Sequence, residues 1–137
     1  CVYNALNYGG EFVFEFGGRG NAEKIHTKLA EVFARHGYEY HTEYCFAGVG
    51  DYAPPVEQAG FTVKYAELFE RPTELKGDDG LADWIRMFLE VPFRTVKEKK
   101  EADEIISEAV NELEAELYAN GKWYADYMRL RMRAVKT

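Results

Sequence analysis

Hydrophobic positions along this chain change their spacing several times, and each change predicts a different kind of element. Residues 11–16 alternate phenylalanine with charged or smaller side chains, a two-residue period that is typical of a β-strand. Residues 61–68 and 123–135 show the same period, and the last run places three arginines on one face. The pattern therefore predicts three strands. Because burying cations is costly, an edge position suits the last strand best.

Helical spacing fills most of the sequence between these strands. One helix is predicted from Asn21 to His36-Gly37, and a short helical turn from Pro54-Pro55 to Gly60. A further helix is predicted to begin at Asp78-Asp79 and to end at Pro92, and a longer one to end at Asn120-Gly121. Residues 38–52 show no sustained period, which predicts a loop with a short strand near residues 38–40.

Glycines mark two connections near the start of the chain. Gly17, Gly18 and Gly20 follow the first strand, and we favour a tight strand-to-helix turn there over a ligand loop, because glycine is the default residue of such turns. Residues 1–10 resemble the last turns of a helix closed by Gly9. Because no methionine opens the chain, we expect a piece of a longer polypeptide, with processing or truncation as alternatives.

Composition narrows the possible partners and the setting of the protein. The 137 residues carry a formal net charge of −7, which disfavours nucleic acid and anionic membranes as partners. No apolar run approaches the ~20 residues that span a bilayer. Cys1 and Cys45 offer no disulfide framework, which predicts a reduced, cytoplasmic setting. His26, His36 and His41 lack metal-ligand spacing and are interpreted as surface histidines, so no metal site is predicted.

Four segments carry a more specific signal: residues 9–21 (GGEFVFEFGGRGN), 59–63 (AGFTV), 69–88 (FERPTELKGDDGLADWIRMF) and 117–131 (LYANGKWYADYMRLR). The third is the narrowest of them, since Arg-Pro-Thr is followed by Asp-Gly-Leu and then by Trp-Ile-Arg-Met-Phe. In this order the four segments resemble the C-terminal half of class I S-adenosylmethionine-dependent methyltransferases of the trans-aconitate methyltransferase-like group.

The resemblance implies an α/β fold with a partial Rossmann-like methyltransferase sheet. Residues 11–16, 61–68 and 123–135 would be strands five, six and seven, and the last would run antiparallel between the other two. Residues 1–137 would form a single domain, with residues 70–121 as a helical insertion that covers the substrate. The cofactor turn and the acidic ribose ligand would belong to the missing N-terminal half. S-adenosylmethionine is thus expected in the full-length enzyme, and no cofactor is expected for this chain alone.

Few catalytic side chains are expected, because methyl transfer depends largely on orientation, and no catalytic residue is assigned. Arginine holds carboxylates bidentately, so Arg86, Arg19 and Arg129 are the predicted substrate contacts if the methyl acceptor is acidic. Trp84 and Tyr124 complete the predicted substrate-binding set. For Glu15, an ion pair with Arg131 across the sheet is favoured over a ligand contact.

The functional prediction is the substrate-side part of a methyltransferase that acts on a small molecule. The alternative is a non-catalytic dimerisation or ligand-binding module, because an incomplete sheet leaves an exposed edge that a second copy could pair with to form a homodimer. A nucleic-acid interface would use Arg129, Arg131, Arg133 and Lys136, but these charges compete with the net charge of −7.

Overall fold

The computed structural model describes all 137 residues, Cys1–Thr137. In chain order the elements are α1 (Val2–Ala5), β1 (Glu11–Gly17), α2 (Glu23–Arg35), α3 (Val49–Gln58), β2 (Phe61–Glu70), β3 (Thr73–Leu75), α4 (Gly80–Phe88), α5 (Glu90–Phe93), α6 (Lys99–Leu117), β4 (Tyr118–Ala119), β5 (Lys122–Ala125) and β6 (Met128–Lys136). None of the helices has the length and apolar character that crossing a membrane requires.

The chain divides into two compact units. The first comprises Cys1–Asn21, Cys45–Arg71 and Tyr127–Thr137, and the second comprises Ala22–Tyr44 and Pro72–Asp126. The first unit thus holds α1, β1, α3, β2 and β6, while the second holds the remaining elements. The predicted lid, residues 70–121, falls almost entirely within the second unit, which also includes α2.

The first unit is built on a three-stranded sheet in the order β1-β6-β2. Both outer strands run antiparallel to β6, so the predicted position of the last strand between the other two is confirmed. One face of the sheet forms the core of this unit. Its buried residues are Val56, Phe61, Leu130, Met132 and Ala134, with Phe12, Phe14, Phe16 and Tyr52 packed against them.

The opposite face of this sheet carries the charged side chains. The expectation that the arginines of the last strand place it at an edge was wrong, because β6 is the central strand. Arg129, Arg131 and Arg133 are exposed or half-buried, and Glu11 and Glu15 on β1 supply carboxylates to them. The arginines are therefore tolerated at the centre because this face is not the one that forms the core.

The second unit is mainly helical. Helices α2 and α6 pack against each other, and α4 packs on α6 and on β5. The predicted apolar stripe of α2 is confirmed, since Ile25, Leu29, Val32 and Phe33 are all buried. From α6 the buried side chains are Ile105, Ile106, Ala109, Leu113 and Leu117. A small antiparallel sheet in the order β3-β5-β4 completes the unit.

The predicted strand over residues 123–135 is two strands that belong to different sheets. β5 pairs with β3 and β4, whereas β6 pairs with β1 and β2. The interruption lies at Asp126 and Tyr127, whose oxygens accept hydrogen bonds from residues that belong to no strand of either sheet. The Asp126 carboxylate accepts from the amide of Lys24 at 2.9 Å, and the Tyr127 carbonyl accepts from the amide of Arg71 at 2.7 Å. Alternation alone did not reveal this break.

Other elements also differ from the sequence predictions. The helix predicted to end at Pro92 ends at Phe88, and Pro92 lies within the short helix α5. Helix α6 ends at Leu117 because Asn120 and Gly121, with φ of 53° and 76°, form a hairpin turn between β4 and β5. Residues 38–40 form no strand. Helix α3 begins at Val49, and Pro54 and Pro55 lie inside it on its exposed face, where water can bond the carbonyls that their missing amides leave free.

Candidate functional site

The five predicted substrate contacts are divided between the two units. Arg19 and Arg129 lie in the first unit, while Trp84, Arg86 and Tyr124 lie in the second.

Arg19 follows the glycine turn after β1 and is paired within the protein. Its Nη2 lies 2.5 Å from Oδ2 of Asp51, and its amide donates to the carbonyl of Ala47 at 3.0 Å. The same Asp51 oxygen accepts from the amide of Gly48 at 2.8 Å, and this bond, together with Arg19, holds the pKa of Asp51 below its usual value. Arg19 thus attaches the loop before α3 to the glycine turn.

The glycine turn itself is filled by protein atoms. A Cβ on Gly18 would overlap Cδ1 of Leu68 and would lie 3.1 Å from the amide nitrogen of Leu130. A Cβ on Gly17 would lie 3.0 Å from Nδ2 of Asn21. Glycine is needed here for close packing of the chain on itself, which agrees with the prediction of a tight turn rather than a ligand loop.

Arg129 belongs to a cluster of three arginines around Glu15 on the charged face of the sheet. Oε1 of Glu15 lies 3.1 Å from Nε of Arg129 and 2.6 Å from Nη1 of Arg71, and Oε2 lies 2.8 Å from Nε of Arg131. Hydrogen bonding, first from Arg131 and then from Arg129 and Arg71, lowers the pKa of Glu15 to about 2 although partial burial opposes the shift. The predicted Glu15–Arg131 ion pair is confirmed.

Trp84 and Tyr124 occupy packed positions in the second unit. The Trp84 side chain is on the buried stripe of α4, and its ring centroid lies 5.4 Å from that of Phe88. Tyr124 lies half-buried in β5, opposite Glu74 of β3. Trp84 therefore contributes to the core of this unit, and Tyr124 offers a partly accessible ring.

Arg86 is the predicted residue that lines a cavity. It lies at the edge of a groove of about 490 Å³ between α4, α5 and α6. The groove has an apolar part and a charged rim, and its lining comprises Ile85, Arg86, Leu89, Glu90, Phe93, Lys99, Ala102, Asp103 and Ile106. Arg86 bonds Asp83 at 3.3 Å and approaches Asp103 at 3.5 Å. These distances exceed those of strong charge-assisted pairs, so the guanidinium can accommodate another carboxylate.

A histidine–tyrosine cluster in the second unit was not identified from the sequence. Nδ1 of His26 lies 2.7 Å from the hydroxyl of Tyr40, and the ring centroids of His26 and Tyr44 are 6.0 Å apart. Burial lowers the pKa of His26 and raises that of Tyr40, so both groups are neutral near pH 7. The interpretation of His26 as a surface histidine was wrong. Its position between Ile25 and Leu29, near the tyrosines of residues 38–44, was the available signal.

His36 is also half-buried, whereas His41 is exposed as predicted. Nε2 of His36 lies 2.9 Å from Oε2 of Glu108, and Nδ1 lies 3.7 Å from Oε1 of Glu101. The hydrogen bond that His36 donates to Glu108 is the main cause that raises the pKa of His36. No group of three or more histidine, cysteine, aspartate or glutamate side chains is arranged to hold a metal ion.

Comparison with known proteins relates the chain to methyltransferases. No family model matches it. Over 142 aligned residues it is 30% identical to the uncharacterized methyltransferase C70.08c of Schizosaccharomyces pombe, and the alignment covers 98% of this chain but 53% of that protein. A solved structure from Bacillus halodurans with a provisional methyltransferase assignment is 14% identical, with a TM-score of 0.49, and the match covers 98% of this chain and 54% of that one.

The chain is thus a homologue of a methyltransferase and spans about half the length of the curated relative that it matches. The predicted resemblance to methyltransferases is confirmed at this level. The narrower trans-aconitate methyltransferase-like group stays a prediction.

Proposed function

We propose that this chain is the substrate-side part of a methyltransferase that transfers a methyl group from S-adenosylmethionine to a small molecule. The observation that supports this most directly is the 30% identity to a methyltransferase along 98% of the chain. Because the match covers 53% of that relative, a complete enzyme would need further sequence. The cytoplasmic location and a homodimer formed through a sheet edge stay predictions.

The first unit does not fit S-adenosylmethionine at its glycine turn. The space beside Gly18 is occupied by Leu68 and Leu130, and the space beside Gly17 by Asn21 and Phe46. A loop that brings its backbone close to the carboxylate of such a cofactor needs open space at its glycines. We therefore propose that the residues which bind the cofactor lie outside this chain.

Among the predicted acceptor contacts, Arg86 fits a substrate role best. Arg19 and Arg129 already hold the carboxylates of Asp51 and Glu15 at 2.5 Å and 3.1 Å. Arg86 has longer contacts and lines a cavity large enough for a small molecule. In this proposal Arg86 would bind and orient the acceptor, with Trp84 supporting its helix from the core and Tyr124 offering a partly accessible ring in the same unit.

A chimera with the fission yeast relative tests the proposal. This chain would replace the matching segment of that protein, and S-adenosylmethionine would be titrated calorimetrically into the chimera, the relative and this chain alone. We expect the chimera and the relative to bind the cofactor and the chain alone not to bind it. Stoichiometric binding by the chain alone would contradict the proposal, as would a folded chimera that does not bind when the relative does.

Sedimentation of the same samples gives their assembly states. If the chain alone bound the cofactor only as a dimer, the site would be formed between copies, and the assignment of cofactor binding to other sequence would be wrong. Methyl transfer by the chimera to small carboxylic acids, measured with labelled cofactor, would then test the acceptor class.

A further inference from the structure

The groove between α4, α5 and α6 combines an apolar interior with charged side chains at its rim. Phe93 and Ala102 are half-buried and supply accessible apolar surface, whereas Ile106 is 4% exposed. Ile85 and Leu89 lie behind them and are fully buried. A volume of about 490 Å³ is within the range of small-molecule sites.

The rim has two acidic and two basic side chains, and three of these four have a neighbour of opposite charge. Asp103 lies 3.5 Å from Arg86, and Glu90 lies 4.0 Å from Arg94, so each acid has a cationic neighbour. Lys99, the first residue of α6, is exposed and forms none of the ion pairs of this structure. Its ammonium group is therefore the charge at the rim that lacks a counterion.

Arg86 has further N–H donors that can bind an anion. A guanidinium has five N–H donors, and its contacts to Asp83 and Asp103 engage one donor nitrogen each at 3.3 Å and 3.5 Å. Both acids are about half-exposed or more, so water can take over their solvation when Arg86 turns to another partner. A carboxylate between Arg86 and Lys99 would gain shorter, charge-assisted bonds.

We propose that this groove binds a small carboxylate with an apolar tail, which places its carboxylate between Arg86 and Lys99 and its tail against Phe93, Ala102 and Ile106. If this ligand is the methyl acceptor, the inference rests on the proposed function and names the chemical class of that acceptor. Binding itself needs neither the cofactor nor the remainder of the enzyme.

Calorimetric titration of octanoate into the purified chain, without S-adenosylmethionine, tests the groove. Acetate and octylamine are the matched ligands, since the first lacks the tail and the second reverses the charge. We expect saturable one-to-one binding of octanoate and at least about tenfold weaker binding of both controls. Absence of saturable octanoate binding, or equal binding of octylamine, would overturn the inference.

Three variants locate the bound molecule. Arg86→Gln should weaken octanoate binding by about tenfold or more through loss of a charged donor. Ala102→Leu should weaken it by filling the apolar part of the groove. Lys76→Gln, at an exposed residue that neither lines the groove nor pairs with a residue of its rim, should leave it unchanged. Equal weakening by Arg86→Gln and Lys76→Gln would contradict this site, and thermal unfolding of each variant checks its fold.

The two proposals can fail separately. Cofactor binding by the chimera with no octanoate binding by the chain would overturn the groove assignment alone. Octanoate binding by the chain together with a folded chimera that binds no cofactor would support the groove and contradict the methyltransferase proposal.

Discussion

Glu15 and Arg131 lie directly opposite each other on β1 and β6, and their side chains meet with Nε 2.8 Å from Oε2. The same carboxylate also binds Arg129 and Arg71, so one acid partly neutralises three guanidinium groups. Arg131 in addition lies over the ring of Phe69, with its Cζ 4.7 Å from the centroid. Glu15 is thus the centre of the charged face of this sheet.

Replacing Glu15 should destabilise the first unit more than replacing its neighbour Glu11. Glu15→Gln leaves three arginines close together without their shared carboxylate, whereas Glu11 pairs with Arg133 alone. Thermal unfolding should show a Tm lowered by roughly a few degrees for Glu15→Gln and less for Glu11→Gln. Equal effects of the two substitutions would show that the cluster does not act as a unit.

Acid should weaken the same cluster. The folded-state pKa of Glu15 is lowered from 4.5 to about 2. The contribution of this group is therefore complete above pH 4.5 and is lost as the pH falls from 4.5 towards 2. The difference in Tm between the wild type and Glu15→Gln should shrink across this window. A difference that is constant with pH would contradict the ionic origin of the effect.

His36 should give a pH dependence of the opposite sign. Glu108 and Glu101 raise its folded-state pKa above 6.5, so its stabilising contribution is complete below pH 6.5 and is lost as the pH rises through the raised value. Denaturant unfolding at about pH 6 and about pH 8.5 should show a larger loss for the wild type than for His36→Gln. His41→Gln, at an exposed position, is the control and should behave as the wild type.

The glycine turn gives a prediction about packing. Gly18→Ala would place a methyl group against Leu68 Cδ1 and 3.1 Å from the backbone of Leu130, which should cost about 1–3 kcal/mol in the free energy of unfolding. Gly50→Ala in helix α3 meets nothing within 4 Å and should be neutral or slightly stabilising. Denaturant unfolding distinguishes them. A neutral Gly18→Ala would mean that this turn is open, which would also revive a ligand role for it.

The local pattern was sufficient to predict those elements whose buried side chains recur at the period of a strand or a helix. Strand β1 and the buried stripe of α2 were predicted at nearly their observed positions, because alternation and the 3.6-residue spacing directly record which side chains are buried. The antiparallel position of the last strand came from the resemblance to methyltransferases rather than from periodicity, and the sheet order confirms it.

Pairing between distant residues decided what the sequence did not show. The alternation of residues 123–135 continues through Asp126 and Tyr127, yet hydrogen bonds to Lys24 and Arg71 divide it into two strands of different sheets. The groove at Arg86 also depends on distant residues, since its rim combines Arg86 of α4 with Asp103 and Lys99 of α6. The sequence by itself determined the helical and extended segments through local spacing. Only the tertiary structure decided which charges meet and which surfaces remain accessible, because those depend on contacts between residues far apart in the chain.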